Sequence, residues 1–164
     1  MRIFRRFLQY IMVGNYPKNL LINGRVKLPS SEFKSDDKLF RSYCKVDLDD
    51  SEQIRLETIK FPDLSCNWDR FSIPSDIRFR RNGSTTDGCY SITVAHSRYK
   101  NMATPVHDPI DDKEYPNYAH IELRVLFDGE DILFEPPKRR KIKSRSRKLE
   151  YRQNFLNSLS IEYP

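Results

Sequence analysis

Two segments of the chain alternate between apolar and polar residues with the period of two that is typical of half-buried β-strands. We predict one strand over residues 89–97, where an apolar face ends at His96. The other strand covers residues 118–127, where one face is entirely apolar and the other carries Tyr118, His120, Glu122, Arg124 and Leu126. The apolar face consists of Ala119, Ile121, Leu123, Val125 and Phe127. Residues 77–80 alternate in the same way over a shorter length, which predicts a third strand.

Apolar residues at helical spacing occur near both ends of the chain. Residues 2–12 predict a short amphipathic helix, and a second helix is predicted from about Ser146. The apolar residues that recur four positions apart in the second helix are Tyr151, Phe155 and Leu159. A lone helix as short as the first is marginal in water, so its apolar stripe needs a partner. The alternatives are the body of the protein, another subunit, an anionic membrane surface, or a true chain start at Met12.

Turn signals divide the chain between these elements. An Asn-Gly pair at positions 23–24 separates two apolar runs, so residues 20–28 are predicted to form a β-hairpin. The Asp-Gly pair at positions 128–129 predicts a second hairpin, in which residues 132–134 return along the preceding strand. Residues 101–117 contain three prolines and are predicted to be a long loop, a kind of segment that often carries function.

The order of these elements predicts an α+β fold whose body is mainly antiparallel sheet, with short amphipathic helices at both termini. Residues 1–17 are predicted to be a basic amphipathic segment, and residues 18–137 an α+β body. Residues 138–164 are predicted to be a basic tail that is partly helical. A chain of 164 residues has the size of one domain, and its 12% aromatic content argues against wholesale disorder.

Charge is segregated along the chain. Residues 1–31 carry six bases and no acid, and residues 138–152 carry nine bases and one acid. The intervening residues 32–137 hold 14 bases and 21 acids, a net charge of −7. Basic ends on an acidic body indicate that the ends contact something anionic.

We predict that these basic ends contact the phosphates of nucleic acid. Such contacts release counterions and give a salt-sensitive affinity without sequence specificity. The predicted binding residues are Lys138, Arg139, Arg140, Lys141, Lys143, Arg145, Arg147, Lys148, Arg2, Arg5 and Arg6. Three alternatives need no nucleic acid: a solvated tail that keeps the protein soluble, a tail that docks on the acids of its own body, and a tail that docks on an acidic partner protein.

The most distinctive arrangement for chemistry is the polar face of the strand predicted over residues 118–127. His120, Glu122 and Arg124 alternate there, so strand geometry puts them on one face with neighbours about 7 Å apart. A general base, an orienting carboxylate and a cation for a phosphate would suit phosphodiester hydrolysis. The alternative is a solvent-facing surface with a ladder of opposite charges, which is common in antiparallel sheets.

His107 and His96 are the other candidate catalytic residues. His107 precedes several acids in the predicted loop, and His96 would meet His120 if their strands paired with both rings on one face. Two histidines with a nearby cation would suit metal-free RNA cleavage by acid–base transfer. His107, His120, Glu122 and the loop acids are also the residue types of a mixed metal site, but their spacing matches no signature, so no metal is predicted.

The cysteines and the apolar runs indicate the cellular compartment of the protein. Cys44, Cys66 and Cys89 lack the spacing of a zinc site and are predicted to be free thiols in a reducing compartment. The apolar run near the N-terminus is too short for a signal peptide, and no stretch approaches the length of a membrane span. No phosphate-binding or dinucleotide-binding loop motif is present. We therefore predict a cytoplasmic protein without a cofactor or a transmembrane segment.

Residues 39–127 resemble a group of uncharacterised small bacterial proteins from mobile-element and phage-defence gene neighbourhoods. The residues that carry the resemblance are Leu39-Phe40-Arg41, Phe61-Pro62-Asp63-Leu64-Ser65-Cys66-Asn67-Trp68, His107-Asp108-Pro109 and Asn117-Tyr118-Ala119-His120-Ile121-Glu122. The resemblance implies a role in defence and an importance of His107 and His120. It implies no activity, and it covers neither basic end.

Taken together, these observations predict a small intracellular nucleic-acid-binding accessory protein or a subunit of a larger complex, with antiviral defence as the implied context. One alternative is a phosphodiester hydrolase or nuclease that uses the polar face of residues 118–127. Another is a protein-interaction module that binds no nucleic acid and docks its N-terminal apolar stripe on a second subunit. Nucleic acid and another protein subunit are the expected partners.

Overall fold

A computed structural model describes residues 16–78, 86–113 and 115–163 of the chain. The strands within these residues are β1 (Lys38–Tyr43), β2 (Leu64–Trp68), β3 (Gly88–Thr93), β4 (Ala103–His107), β5 (His120–Val125) and β6 (Ser160–Tyr163). The α-helices are α1 (Val94–Ser97) and α2 (Arg145–Ser158), and short 3₁₀ turns lie between several of the elements. The protein is thus an α+β fold built on a sheet, as predicted.

The six strands form one sheet in the order β4-β5-β2-β1-β3-β6, and every neighbouring pair is antiparallel. Residues that face one another on neighbouring strands project from the same side of a sheet. One side of this sheet carries Leu64 beside Leu123, and it forms the main apolar core. The other side carries Asn67 beside His120 and is largely polar.

Helix α2 covers the apolar side of the sheet. Its buried side chains are Tyr151 and Phe155, one helical turn apart, whereas Leu149 remains exposed. The Tyr151 ring stacks on Phe61 with 3.9 Å between the ring centroids, and its hydroxyl donates a hydrogen bond to the Ser97 carbonyl. The helix predicted near the C-terminus is therefore confirmed, and it belongs to the core.

The strand predicted over residues 89–97 is wrong in its second half. Strand β3 ends at Thr93, whose side-chain oxygen accepts a hydrogen bond from the His96 backbone N–H and caps helix α1. A side-chain acceptor at this position satisfies a free N–H of the first helical turn, which favours helix over continued strand. His96 therefore lies on a helix and not on the strand face predicted for it.

Part of the loop predicted over residues 101–117 is a strand. Residues 103–107 form β4, which pairs with β5 and lies at the edge of the sheet. Pro105 lacks a backbone N–H, and an edge strand tolerates this because one of its sides has no neighbour. Pro105, one of the three prolines that indicated a loop, is thus compatible with a strand at the edge of the sheet.

The turns of both predicted hairpins form, but the hairpins do not: residues 20–28 contain no strand, and β5 has no returning strand at residues 132–134. Asn23 and Gly24 have positive φ angles of 41° and 77°, and Gly129 has a φ of 86°, as such turns require. The backbone around the first turn bonds to distant residues instead, since the Leu20 carbonyl accepts from the Tyr118 N–H. Residues 132–134 likewise lie outside any strand, and the Ile132 carbonyl accepts from Thr104.

Two further predictions concern residues at the margins of the described ranges. Of the strand predicted over residues 77–80, Ile77 and Arg78 belong to the 3₁₀ turn Pro74–Arg78, so the prediction is wrong there. The remaining two residues of that strand lie outside the described residues. The helix predicted over residues 2–12 also lies outside them, so it stays a prediction.

Replacing Phe155 with Ala tests whether helix α2 is part of the core. We expect the free energy of unfolding to fall by about 3–5 kcal/mol, because the substitution removes a fully buried ring and leaves a cavity. The matched control on the same helix is Leu149→Ala, whose side chain is exposed and which we expect to change stability by no more than about 0.5 kcal/mol. Urea denaturation measures both values. Equal small losses would mean that the helix is not docked.

Candidate functional site

The polar face of β5 carries the three residues predicted to form a catalytic row. His120, Glu122 and Arg124 do share one face, but that face is not the solvent-exposed surface of the alternative interpretation. His120 and Arg124 are only 8% and 6% exposed. The Arg124 guanidinium donates a hydrogen bond to the Pro136 carbonyl at 3.2 Å. The segment that follows the turn at residues 128–129 therefore lies across this face.

Four charged side chains form a compact cluster on this face. Arg124 donates to Glu122 Oε2 through Nε and Nη2, at 3.1 and 2.9 Å, and its Nη2 lies 3.3 Å from Asp108 Oδ1. Lys138 Nζ lies 2.5 Å from Asp108 Oδ2 and 3.7 Å from Glu122 Oε1. Two carboxylates and two cations compensate one another here. Glu122 is therefore engaged with cations and is a poor candidate for a general base.

Asp108 is ionised in this cluster. Burial pushes its pKa upward, but the hydrogen bond from Lys138 and the charge of Arg124 outweigh burial, so the pKa lies below its ordinary value. A carboxylate with a lowered pKa stabilises the fold above the pKa of the unfolded chain, and this contribution is lost as pH falls through the folded pKa. The cluster thus holds Lys138, the first base of the tail, against the body at neutral pH.

His120 has one ring nitrogen bonded and one without a partner. Its Nδ1 lies 2.7 Å from the Asp108 carbonyl oxygen, and because a carbonyl can only accept, Nδ1 carries the proton. Nε2 has no hydrogen-bond partner among the described residues. Burial lowers the pKa of His120, so the ring is neutral near pH 7 and Nε2 is an available acceptor.

The His120 ring lines an open cavity of about 440 Å³. The cavity lies where β1 and β2 separate: their register pairs only Leu39 with Trp68 and Phe40 with Asn67. Beyond these pairs the Arg41 guanidinium donates to the Ser65 carbonyl at 2.7 Å. The cavity wall also contains the amides of Asn67 and Asn117, which the sequence analysis missed because single asparagines carry no pattern.

His107 lies on the opposite side of the sheet from His120. It pairs with Ile121, so it projects toward the apolar core, where it is fully buried against Trp68. The Leu28 N–H donates to His107 Nδ1 at 2.9 Å, and Nε2–H donates to the Tyr118 carbonyl at 2.6 Å. Both ring nitrogens therefore bind backbone groups, which is typical of a structural histidine.

His96 is also remote from His120. Strand β3, which precedes it, pairs with β1 and β6, whereas β5 pairs with β2 and β4. The exposed His96 ring contacts Thr93 Oγ1 at 2.8 Å. The proposed meeting of His96 and His120 through paired strands is therefore wrong. Among the described residues, no three His, Cys, Asp or Glu side chains form a group that could hold a metal ion.

Part of the basic tail is docked on acids of the body. Besides Lys138, Arg140 pairs with Glu130 at 2.5 Å and Arg147 pairs with Asp128 at 2.9 Å. The Arg139 backbone N–H donates to an Asp63 carboxylate oxygen. The alternative in which the tail docks on its own body thus holds for these bases.

The other bases of the predicted binding run face outward. We call them the basic surface: they are Arg139, Lys141, Lys143, Arg145 and Lys148. Within residues 16–78, 86–113 and 115–163, no carboxylate forms an ion pair with any of them. Four of the five are exposed and Lys148 is half-buried. The predicted binding residues Arg2, Arg5 and Arg6 lie outside the described residues.

Two exposed aromatic rings flank this run, and sequence analysis did not identify them as functional. Phe127 was assigned to the core face of its strand, but β5 ends at Val125 and Phe127 is 50% exposed. The Arg140 guanidinium lies 4.4 Å from the centroid of Phe127 and 5.4 Å from that of Phe134. These are cation–π contacts within the protein, and they hold the guanidinium beside two exposed rings.

Comparison with known proteins adds no assignment. No protein-family model matches the chain, and no curated protein or solved structure matches it. The resemblance of residues 39–127 to small bacterial proteins therefore stays a prediction. Among the described residues, no helix has the combination of length and apolar character needed to cross a bilayer.

The protonation of His107 and His120 is directly measurable. Burial lowers the pKa of both residues from the ordinary value of 6.5, so their ring-proton NMR signals should titrate below pH 6.5. The unfolded chain then binds protons more readily than the folded chain, and we expect the free energy of unfolding to decrease as pH falls from about 7. The variants H107N and H120N assign the two signals. Midpoints above 6.5 would contradict the burial described for these rings.

Proposed function

We propose that the protein binds nucleic acid without sequence specificity through the basic surface, as an accessory protein or a subunit of a larger complex. The observation that carries the proposal is the division of the tail: Lys138, Arg140 and Arg147 pair with acids of the body, whereas the five bases of the basic surface have no acid partner among the described residues. Antiviral defence is the context that the sequence resemblance implies for such a complex.

Partial docking supports this role. Lys138, Arg140 and Arg147 pair with acids of the folded body, so the backbone between residues 138 and 147 lies against the body and presents the intervening bases on one surface. Binding by bases on a docked backbone loses less conformational entropy than binding by a free tail. The ion pairs with the body therefore neutralise part of the positive charge of the tail, and they place the backbone that carries the remaining bases.

The start of helix α2 adds to the positive field of this surface. Arg145, Arg147 and Lys148 occupy its first turn, which contains no acid. The N-terminal end of a helix is the positive end of its dipole, so these bases repel it and a phosphate would relieve the repulsion. This contribution adds to the charge of the basic surface, and the proposal does not depend on it.

The salt dependence of binding tests the proposal. We expect the wild-type protein to bind a single-stranded oligonucleotide with an affinity that falls steeply with salt. Replacing Lys141, Lys143, Arg145 and Lys148 with Gln should reduce the slope of log K against log salt by about 3, since each lost phosphate contact removes about 0.7. Fluorescence anisotropy at several salt concentrations measures the slope.

A charge-matched control separates local contacts from net charge. Lys18, Lys34, Lys45 and Arg55 are exposed bases elsewhere in the sequence, and replacing them with Gln changes the net charge by the same amount. We expect this variant to keep most of the wild-type slope. Equal slopes for the two quadruple variants, or a slope unchanged from wild type in both, would contradict binding through the basic surface.

A phosphodiester hydrolase is the second candidate function, and one observation favours it. His120 lines the 440 Å³ cavity with a neutral ring and an unpartnered Nε2, which is the state a general base requires. Glu122 and Arg124 are compensated by charged neighbours, so in this candidate they are positioning residues. His107 and His96 take no part in it. The protein-interaction alternative depends on the N-terminal stripe, which lies outside the described residues.

Replacing His120 with Gln tests the hydrolase candidate. If His120 is the base, cleavage of a fluorescently labelled single-stranded RNA or DNA should fall by at least about 100-fold, because general-base catalysis contributes that much. The control is Ser42→Ala, a change in the wall of the same cavity on strand β1, which does not pair with the strand of His120, and it should keep full activity. A wild-type protein that cleaves neither substrate, or an H120Q variant with full activity and an unchanged melting temperature, would exclude this role.

A further inference from the structure

A second cavity, of about 270 Å³, lies beside the basic surface between the end of β5 and the start of α2. Its inner wall is apolar and includes the buried side chains of Met102 and Leu126. Its rim is basic and includes Lys141, Lys143 and Arg147. An apolar wall beside a basic rim fits a ligand that joins an apolar group to an anion.

The outer edge of the cavity is formed by the exposed ring of Phe127. Arg140 lies over this ring and is itself held by Glu130, so the ring and the guanidinium form a stack of defined geometry. Among the cations of the rim, Arg147 is paired with Asp128. Within the described residues Lys141 and Lys143 have no acid partner, and they remain available to an anion at the cavity mouth.

We propose that this cavity holds one unpaired base of a single-stranded nucleic acid, with the adjoining phosphates on Lys141 and Lys143. The inference rests on the proposed function and names its substrate: a single strand rather than a duplex. A volume of about 270 Å³ is slightly below the range of about 300–1,000 Å³ that whole small ligands occupy, which suits one planar group. A strand supplies that group together with its phosphates.

The preference for a single strand has a physical reason. A base in a duplex is stacked and paired, so placing it in a protein cavity requires flipping it out at an energetic cost. A base in a single strand is free to stack on an aromatic ring such as Phe127, and this contact tolerates any sequence because every base has a π-face. Base stacking would thus add affinity to the phosphate contacts without adding sequence specificity.

Binding of three DNA probes of equal length tests the inference. The probes are an oligothymidine of about 15 nucleotides, an abasic strand with the same phosphates, and a duplex. At one salt concentration, we expect the wild-type protein to bind oligothymidine about tenfold more tightly than the abasic strand. Phe127→Ala should reduce this ratio to below about twofold while leaving the salt slope unchanged, whereas Phe127→Tyr should preserve the ratio.

One control variant and one further probe distinguish failure of this inference from failure of the proposed function. Ile73→Ala removes an exposed apolar side chain outside the cavity and should keep the tenfold ratio. Equal binding of oligothymidine and abasic strand by the wild-type protein would overturn the base cavity and leave the phosphate contacts of the proposed function intact. Loss of binding to all three probes would overturn both. Phe127-dependent binding to vesicles of anionic lipid, with no base preference, would assign the cavity to a lipid surface and overturn the inference.

Discussion

Burial of Tyr151 and Phe155 against the sheet is the interaction on which the placement of the segment from residue 138 to helix α2 depends. These two rings bring helix α2 onto the apolar side of the sheet, where Tyr151 also bonds the end of helix α1 through Ser97. At the other end of the same segment, Lys138 is held by the carboxylates of Asp108 and Glu122. The basic run therefore lies between helix α2, which is attached by apolar contacts, and Lys138, which is attached by ion pairs. Its backbone follows the surface of the body between these two points.

The two sides of the sheet serve different purposes. The apolar side is a conventional core, and His107 belongs to it as a ring that bonds the backbone at Leu28 and Tyr118. The polar side buries charged groups, which is tolerable only because each has a partner of opposite sign or a hydrogen bond. His120 lies on this side with Nε2 beside a cavity and without a hydrogen-bond partner among the residues that the structure describes, which distinguishes it from His107 and His96.

An ordered basic segment and a free basic tail differ in what they can select. A free tail contacts phosphates in many arrangements and distinguishes ligands mainly by charge density. In the proposed function, bases on a docked segment beside the exposed ring of Phe127 would also distinguish a strand with accessible bases from one without. The docking of Arg140 and Arg147 on acids of the body is therefore compatible with binding to a polyanion, since it places the neighbouring bases of the basic surface.

The spacing of apolar residues was enough to predict the strand and the helix in which those residues recur with a regular period. The alternation in residues 118–127 placed Ile121 and Leu123 on the core face, and the four-residue spacing placed Tyr151 and Phe155 on the buried face of a helix. The charge of the tail was equally evident from the sequence. These features depend on the periods of the strand and the helix, which any chain of this pattern shares.

Tertiary structure alone decided which groups meet. His107 and His120 fall on opposite sides of the sheet because a proline-containing segment pairs with β5 in one register, and a shift of one residue would have reversed the face. Lys138, Arg140 and Arg147 are paired, whereas Lys141 and Lys143 have no acid partner in the described part of the chain; the partners of the paired bases lie upstream, on and before β5 and in the turn at residues 127–130. Burial, pairing and the cavities beside His120 and Phe127 arise from such long-range contacts, which no local period encodes.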